Sequence, residues 1–131
     1  MKWNNTLETG IKEIDNQHRE IFNRIDALEI AIFNGRGKTE LVKIIEFIES
    51  YVKEHFDAEE KLLMDNHYPD FTKHYEQHNK FRSLFKELFI DFSRKGPDQY
   101  LAMDVDKILR KWWNDHILKM DMDYLPFIKN K

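Results

Sequence analysis

The sequence contains no cysteine, and this absence removes a large part of the possible chemistry. Disulfides, thiolate zinc sites, iron–sulfur clusters and cysteine nucleophiles all need the thiol, so they are excluded. Glycine and proline are also scarce, with 4 and 3 residues among 131, which excludes a collagen-like or loop-rich chain. A hydrophobic content of 41% with 14% aromatic residues excludes intrinsic disorder. We therefore expect one compact domain.

Two further features are missing, namely an excess of basic charge and a long hydrophobic run. The 21 Lys and Arg residues face 24 Asp and Glu residues, for a net charge of −3, so we expect neither nucleic acid nor a membrane as partner. Nothing approaches the roughly 18 consecutive apolar residues of a membrane span, and the first residues lack the apolar core of a signal peptide. We therefore expect a cytoplasmic protein and, for its oligomeric state, a monomer.

Turn signals at residues 34–37, 66–69 and 96–97 divide the chain into an N-terminal arm and four long segments. Within the segments apolar residues recur at alternating spacings of three and four, which is typical of helices with one buried face. Connections as short as these turns favour helices that follow one another in the chain and lie side by side in opposite directions. The sequence thus predicts an all-α, up-down-up-down antiparallel four-helix bundle. We expect an arm over about 1–13, held by Trp3 and Ile11, and helices over about 15–34, 39–65, 70–95 and 98–119, with Thr39 as an N-cap.

Histidines are the unusual feature of the helical stripes. Five of the six fall at positions that the spacing assigns to the core: His18, His55, His74, His78 and His116. The sixth, His67, lies in a turn and is expected to be exposed. A buried polar group without a partner costs about 1–3 kcal/mol, so each interior imidazole needs a hydrogen bond or a metal ion.

The spacing of these side chains favours metal ligation over isolated core hydrogen bonds. His74 and His78 are four residues apart, as are His55 and Glu59, and this spacing directs two side chains from one helix to one centre. All the candidate positions share one end of an up-down bundle. They are too many ligands for a single ion, so two ions bridged by carboxylates account for them. Imidazole with carboxylate suits Fe, Mn, Zn or Ni.

Asp121 is a further candidate ligand, and it sets a condition on the fourth helix. It follows His116 by five residues, which on a regular α-helix turns the two side chains apart. If Asp121 joins the site, the helix must end or distort near Lys119.

At this point the sequence resembles the hemerythrin family in its single-domain bacterial form. The resemblance spans nearly the whole chain and is carried by Trp3, Gly10-Ile11, Ile14-Asp15-Asn16-Gln17-His18, His55-Phe56-x-x-Glu59-Glu60, Met64, Tyr68-Pro69, His74-x-x-x-His78 and His116-Ile117-x-x-x-Asp121. It implies one domain over residues 1–131 and a centre of two Fe ions joined by an oxo or hydroxo bridge.

The resemblance also implies a role for each ligand. His74, His78 and His116 would hold one iron, and His18 and His55 would hold the other. Glu59 and Asp121 would bridge the two irons. The iron with two histidines would keep a vacant position at which dioxygen binds.

Reversible O2 binding needs a dry, apolar wall around that position. The candidates for this lining are Ile21, Phe22, Phe56, Trp112, Trp113 and Ile117, whereas Ile25 is expected to serve core packing. Two departures from the family pattern stand out. Trp113 occupies a position where the family often has an aliphatic residue, and Asn66-His67 replaces a glycine in the turn, where both residue types tolerate a left-handed backbone.

The implied function is reversible O2 binding for storage, delivery or sensing, which is not an enzymatic activity. The alternatives are a di-iron enzyme or repair protein that handles peroxide, nitric oxide or iron donation, and a structural bundle filled with zinc. An oxidase is disfavoured because no tyrosine falls on the ligand stripes. Tyr51 is the nearest, and we expect it to serve packing.

Overall fold

The computed structural model describes residues 2–129, and these residues form an all-α four-helix bundle without a β-strand. This confirms the predicted fold class. The helices are α1 (Lys12–Phe33), α2 (Gly37–Phe47), α3 (Lys53–Asp65), α4 (Phe71–Lys95), α5 (Gln99–His116) and the short α6 (Met122–Tyr124). A π-helical turn, Ile48–Val52, joins α2 to α3, so that these two form one rod of the bundle. A second π-helical turn, Ile117–Asp121, joins α5 to α6.

The turns between the rods use residues that accept a left-handed backbone. Gly35 and Gly96 have φ values of 73° and 70°, and His67 has a φ of 52°. Asparagine, aspartate and histidine enter this region more readily than most residues. His67 therefore adopts, after the end of α3, the left-handed conformation that glycine often has at a helix C-terminus. Its side chain is exposed, as expected.

The start of α2 differs from the prediction that Thr39 would be its N-cap. The helix begins two residues earlier, at Gly37, so Thr39 lies within its first turn. A Cβ atom at residue 37 would collide with the Gln99 side chain, which crosses from α5 to donate a hydrogen bond to the Ile32 carbonyl oxygen at 3.1 Å. Glycine at this position thus allows the rods to approach closely, a constraint that local capping preferences do not contain.

The N-terminal arm is held against the bundle by more contacts than the sequence indicated. Trp3 and Ile11 both pack against buried clusters, and Leu7 is completely buried in the main core. The Asp15 carboxylate accepts hydrogen bonds from the backbone N–H of Thr9 at 2.8 Å and from the Thr9 hydroxyl at 2.8 Å. The arm is therefore tied to the first turn of α1.

The apolar stripes meet in a continuous core that runs along the bundle. At one end, where α1 and α4 begin and α3 and α5 finish, the stripes carry imidazoles and carboxylates instead of aliphatic side chains. Among residues 2–129, no helix is long and apolar enough to cross a membrane.

Candidate metal centre

All seven side chains singled out as candidate metal ligands are buried at this end of the bundle. Six are 0% exposed and His116 is 4% exposed. They come from α1, α3, α4, α5 and the second π-helical turn, and they are His18, His55, Glu59, His74, His78, His116 and Asp121.

The first of two groups contains three histidines, and we call it the three-histidine group: His74, His78 and His116. One potential ligand atom from each of them, together with one from Glu59, lies within 4.8 Å of the others. The Nε2 atoms of His74 and His78 are each 2.9 Å from Glu59 Oε1, and His116 Nε2 is 3.8 Å from the same oxygen. Two helices, α4 and α5, thus direct ring nitrogens at one carboxylate oxygen carried by α3.

The second group is the two-histidine group, His18 and His55. Their ring centroids are 4.7 Å apart in an edge-on arrangement, and potential ligand atoms of both lie within 4.8 Å of one from Glu59. Glu59 therefore belongs to both groups.

Asp121 also connects the groups, because its two oxygens face opposite sides. Oδ2 is 3.1 Å from His18 Nε2, while Oδ1 is 3.1 Å from His116 Nε2 and 3.3 Å from His74 Nε2. The π-helical turn Ile117–Asp121 makes this possible, since its wider turn brings residues five apart onto one face. The expectation that the fourth helix distorts near Lys119 is confirmed.

Several polar atoms at the centre lack the hydrogen bonds that burial requires. His18 Nε2, His55 Nε2, His116 Nε2 and both Asp121 oxygens are buried without an aligned hydrogen-bond partner among the described residues. Leaving such atoms unsatisfied is costly. A metal ion coordinated by nitrogen and oxygen would satisfy all of them, so the donor set fits a cation.

The pKa values of the carboxylates and histidines in the metal-free centre also indicate a site that favours a cation. Burial opposes charge on both carboxylates, but hydrogen bonds from the histidines hold the pKa of Glu59 well below its usual range. Burial likewise opposes protonation of His74 and His116, yet the two carboxylates outweigh it and raise the pKa of His74 to about 10 and that of His116 to about 9. The carboxylates thus attract positive charge, which protons supply when no cation does.

In the two-histidine group, the pKa of His55 is shifted in the opposite direction. Burial, reinforced by the neighbouring His18, lowers the pKa of His55 to about 3. His55 is consequently neutral at physiological pH, which is the form that binds metal ions.

Two of the imidazoles are oriented by partners that the sequence reasoning did not single out. His55 Nδ1 donates to Gln17 Oε1 at 2.6 Å, and His78 Nδ1 donates to Glu60 Oε2 at 2.6 Å. Such bonds fix the tautomer and point Nε2 towards the centre. Arg82 in turn holds Glu60 with a 3.0 Å contact. Gln17 and Glu60 each precede or follow a ligand directly, and that adjacency was the available signal.

Tyr124 is a second omission, and it corrects a prediction. Its side chain is 0% exposed, and its hydroxyl donates to Glu59 Oε2 at 2.9 Å. Burial together with the charge of Glu59 raises its pKa well above the usual value. The expectation that Tyr51 is the tyrosine nearest to the ligands was therefore wrong. Tyr124 follows the π-helical turn, and its position cannot be read from a regular helical stripe.

The aromatic part of the predicted lining lies against both groups. Trp113 lies between them, with its ring centroid 5.6 Å from His55, 6.3 Å from His18 and 6.2 Å from His116. Phe56 and Trp112 instead stack on the three-histidine group, at 3.9 Å from His78 and 4.6 Å from His116. The aliphatic candidates and one further ring are buried in the main core: Ile21, Phe22, Ile25 and Ile117.

A four-helix bundle with a buried centre of histidines and carboxylates at one end defines a class of cation-binding proteins, and comparison with known sequences agrees. The family model for the hemerythrin HHE cation binding domain matches residues 9–128. The chain therefore belongs to the hemerythrin family.

Characterised relatives support this membership. A bacteriohemerythrin of Pseudomonas paraeruginosa is 30% identical over 128 residues, which cover 98% of this chain and 81% of the relative. Bacteriohemerythrins of Methylococcus capsulatus and Clostridium acetobutylicum are each 28% identical, over 90% and 94% of this chain and 88% and 97% of their own lengths.

Proposed function

We propose that this chain binds two iron ions at the buried centre and uses them to bind dioxygen reversibly. The observation that carries the proposal is the sharing of carboxylates. Glu59 belongs to both histidine groups, and the two oxygens of Asp121 face His18 on one side and His116 on the other. This is the arrangement expected of residues that bridge two ions.

The ligands would divide unequally between the ions. The three-histidine group, His74, His78 and His116, would hold one iron with the shared carboxylates. His18 and His55 would hold the other with one ligand fewer, which leaves a position for O2. Bound ferrous iron supplies the redox chemistry, since two such ions can together provide two electrons to O2 and take them back.

The residues around the ligands would keep this chemistry reversible. Gln17 and Glu60 hold the rings of His55 and His78 in place, and Tyr124 keeps a proton at Glu59 Oε2. The buried rings of Phe56 and Trp113 would exclude water and reductants. An apolar surround controls the access of solvent to a metal centre and thereby its redox behaviour.

A test is to load the metal-free protein with ferrous iron under anaerobic conditions and then cycle O2 in and out. We expect a visible charge-transfer band that appears with O2 and disappears on its removal over many cycles. Rapid one-way conversion to a ferric form would favour an enzyme acting on peroxide or nitric oxide. Stable folding with zinc, and no spectral response after iron loading, would favour a structural metal site.

A further inference from the structure

Trp113 carries a buried hydrogen-bond donor that no residue among 2–129 satisfies. Its side chain is 0% exposed, and its indole Nε1 has no hydrogen-bond partner among the described residues. The indole group can only donate, so it needs an acceptor. A buried donor without one costs about 1–3 kcal/mol, and an aliphatic side chain would fill the space without that cost.

The surroundings of Trp113 show where an acceptor could come from. The neighbouring rings of Phe56, Phe81 and Trp112 have centroids 5.6, 5.3 and 5.0 Å away, and these side chains offer no oxygen or carboxylate. The other ring contacts are with His55, His116 and His18, with centroids at 5.6, 6.2 and 6.3 Å. The nearest and the farthest of them, His55 and His18, form the two-histidine group. An acceptor held beside these two histidines would therefore lie close to the indole.

We infer that the indole N–H of Trp113 donates a hydrogen bond to the small ligand held on the two-histidine side. The ligand would be dioxygen or a small anion with an exposed acceptor atom, such as azide. Trp113 would thus influence ligand affinity through a hydrogen bond, in addition to lining the site with an apolar ring. This inference rests on the proposed metal centre, and it adds a polar contact to a pocket expected to be apolar.

Trp112 provides a matched comparison on the adjacent residue. It is half-buried and stacks on His116 at 4.6 Å, on the three-histidine side. Its Nε1 is not among the buried atoms that lack a partner. Removing the N–H of Trp112 should therefore leave a ligand on the two-histidine side unaffected.

The test compares azide binding to the oxidised, iron-loaded protein in wild type, Trp113→Phe and Trp112→Phe. Phenylalanine keeps an aromatic ring and removes the donor. Because hydrogen bonds to charged acceptors are among the stronger ones, we expect the azide dissociation constant to rise about tenfold in Trp113→Phe. It should be unchanged in Trp112→Phe. Equal affinities in all three proteins, or a wild type that does not bind azide, would overturn the inference.

A second measurement reports on the hydrogen bond directly, and its first step, the presence of an isotope shift, needs only the wild-type protein. The infrared stretch of bound azide is recorded in H2O and after full exchange of the indole protons in D2O. We expect a solvent isotope shift in wild type and in Trp112→Phe that Trp113→Phe loses. An identical shift in all three would mean that the indole N–H points at the Phe81 or Trp112 ring instead.

These outcomes separate the inference from the proposed function. Reversible O2 binding with azide affinity that is the same in wild type and Trp113→Phe would keep the function and remove the donor role. Azide binding that depends on Trp113, without reversible O2 binding, would keep the donor role and remove the function.

Discussion

The two histidine groups at the centre are built from the same residue type but have opposite environments. Two rings of the three-histidine group are covered by flat aromatic partners, Phe56 on His78 at an interplanar angle of 11° and Trp112 on His116 at 12°. The rings of His18 and His55 meet Trp113 at 57° and 54°. Two rings of one group are thus covered by stacking, whereas the rings of the other group meet Trp113 at a tilt.

The electrostatics follow the same division. The carboxylates raise the pKa of His74 to about 10, while burial lowers the pKa of His55 to about 3. The shifted pKa values thus favour a protonated His74 on the three-histidine side and a neutral His55 on the two-histidine side. The two groups therefore differ in the number of histidines and in the packing around them, and not in residue type.

The largest expected effect comes from removing the carboxylate that both groups share. Glu59→Gln keeps the size of the side chain but loses its charge, so both groups lose one of the two carboxylates that they share and only Asp121 remains between them. We expect iron content to fall from two ions per chain to fewer than one, as measured by elemental analysis. Glu54→Gln, on the exposed face of the same helix, should retain both ions. Full iron content in Glu59→Gln would contradict the shared role.

Removing one histidine from the two-histidine group should show whether the two groups bind metal independently. In His55→Ala the three-histidine group keeps its three imidazoles and Glu59, so we expect about one metal ion per chain to remain. The O2-dependent visible band should disappear completely. A variant that loses both ions, or keeps the band, would show that the groups are not distinct.

A weaker effect is expected from the support of His55. Gln17→Ala removes the acceptor of the His55 Nδ1–H, and loss of such outer contacts typically weakens metal binding about 10–100-fold. We expect the weakening at one of two ions when metal is withdrawn by chelator competition. The adjacent, exposed Asn16 provides the control, since Asn16→Ala should release metal like wild type. Equal weakening at both ions would argue against side-specific support.

The smallest effect concerns the stability of the metal-free protein as a function of pH. His74 and His116 have pKa values of about 10 and 9 in the folded state, above their ordinary value of 6.5. Their contribution is complete below pH 6.5 and is lost as the pH rises through 9 and 10. The pKa of His55 is shifted the other way, so stability also falls as the pH decreases from 6.5 towards 3.

Thermal unfolding followed by circular dichroism measures this balance. We expect the melting temperature of the metal-free protein to peak near pH 6.5 and to fall by several degrees, on the order of 5 °C, by pH 10. The metal-loaded protein should lose much less above neutral pH, because cations replace the protons on His74 and His116. Parallel curves for the two forms would contradict the assigned charges.

The sequence allowed the fold to be predicted because the helical stripes, the turn residues and the short connections all indicated one topology. It also identified the seven side chains that the structure brings together, since six of them follow regular helical spacing. Asp121 required a distortion, and the structure provides it as a π-helical turn. The early start of α2 at Gly37 was missed because local capping preferences favoured Thr39, whereas the helix begins without a side-chain cap.

The contacts behind the ligands could not be predicted in this way. Whether Gln17 reaches His55, or Tyr124 reaches Glu59, depends on how separate helices are rotated against each other. Likewise, the sequence places Trp112 and Trp113 side by side without showing that Trp112 stacks on His116 while Trp113 also reaches His55. The direction in which each of two adjacent side chains points depends on how the helix is rotated, and tertiary packing sets that rotation.

The most direct test of the two-sided centre is a crystal structure of the iron-loaded protein with anomalous scattering recorded at the iron edge. We expect two anomalous peaks per chain. One should lie within coordination distance of His74, His78 and His116, and the other of His18 and His55, with Glu59 and Asp121 between them. A single peak, or two peaks that share all five imidazoles without an open side, would contradict the account.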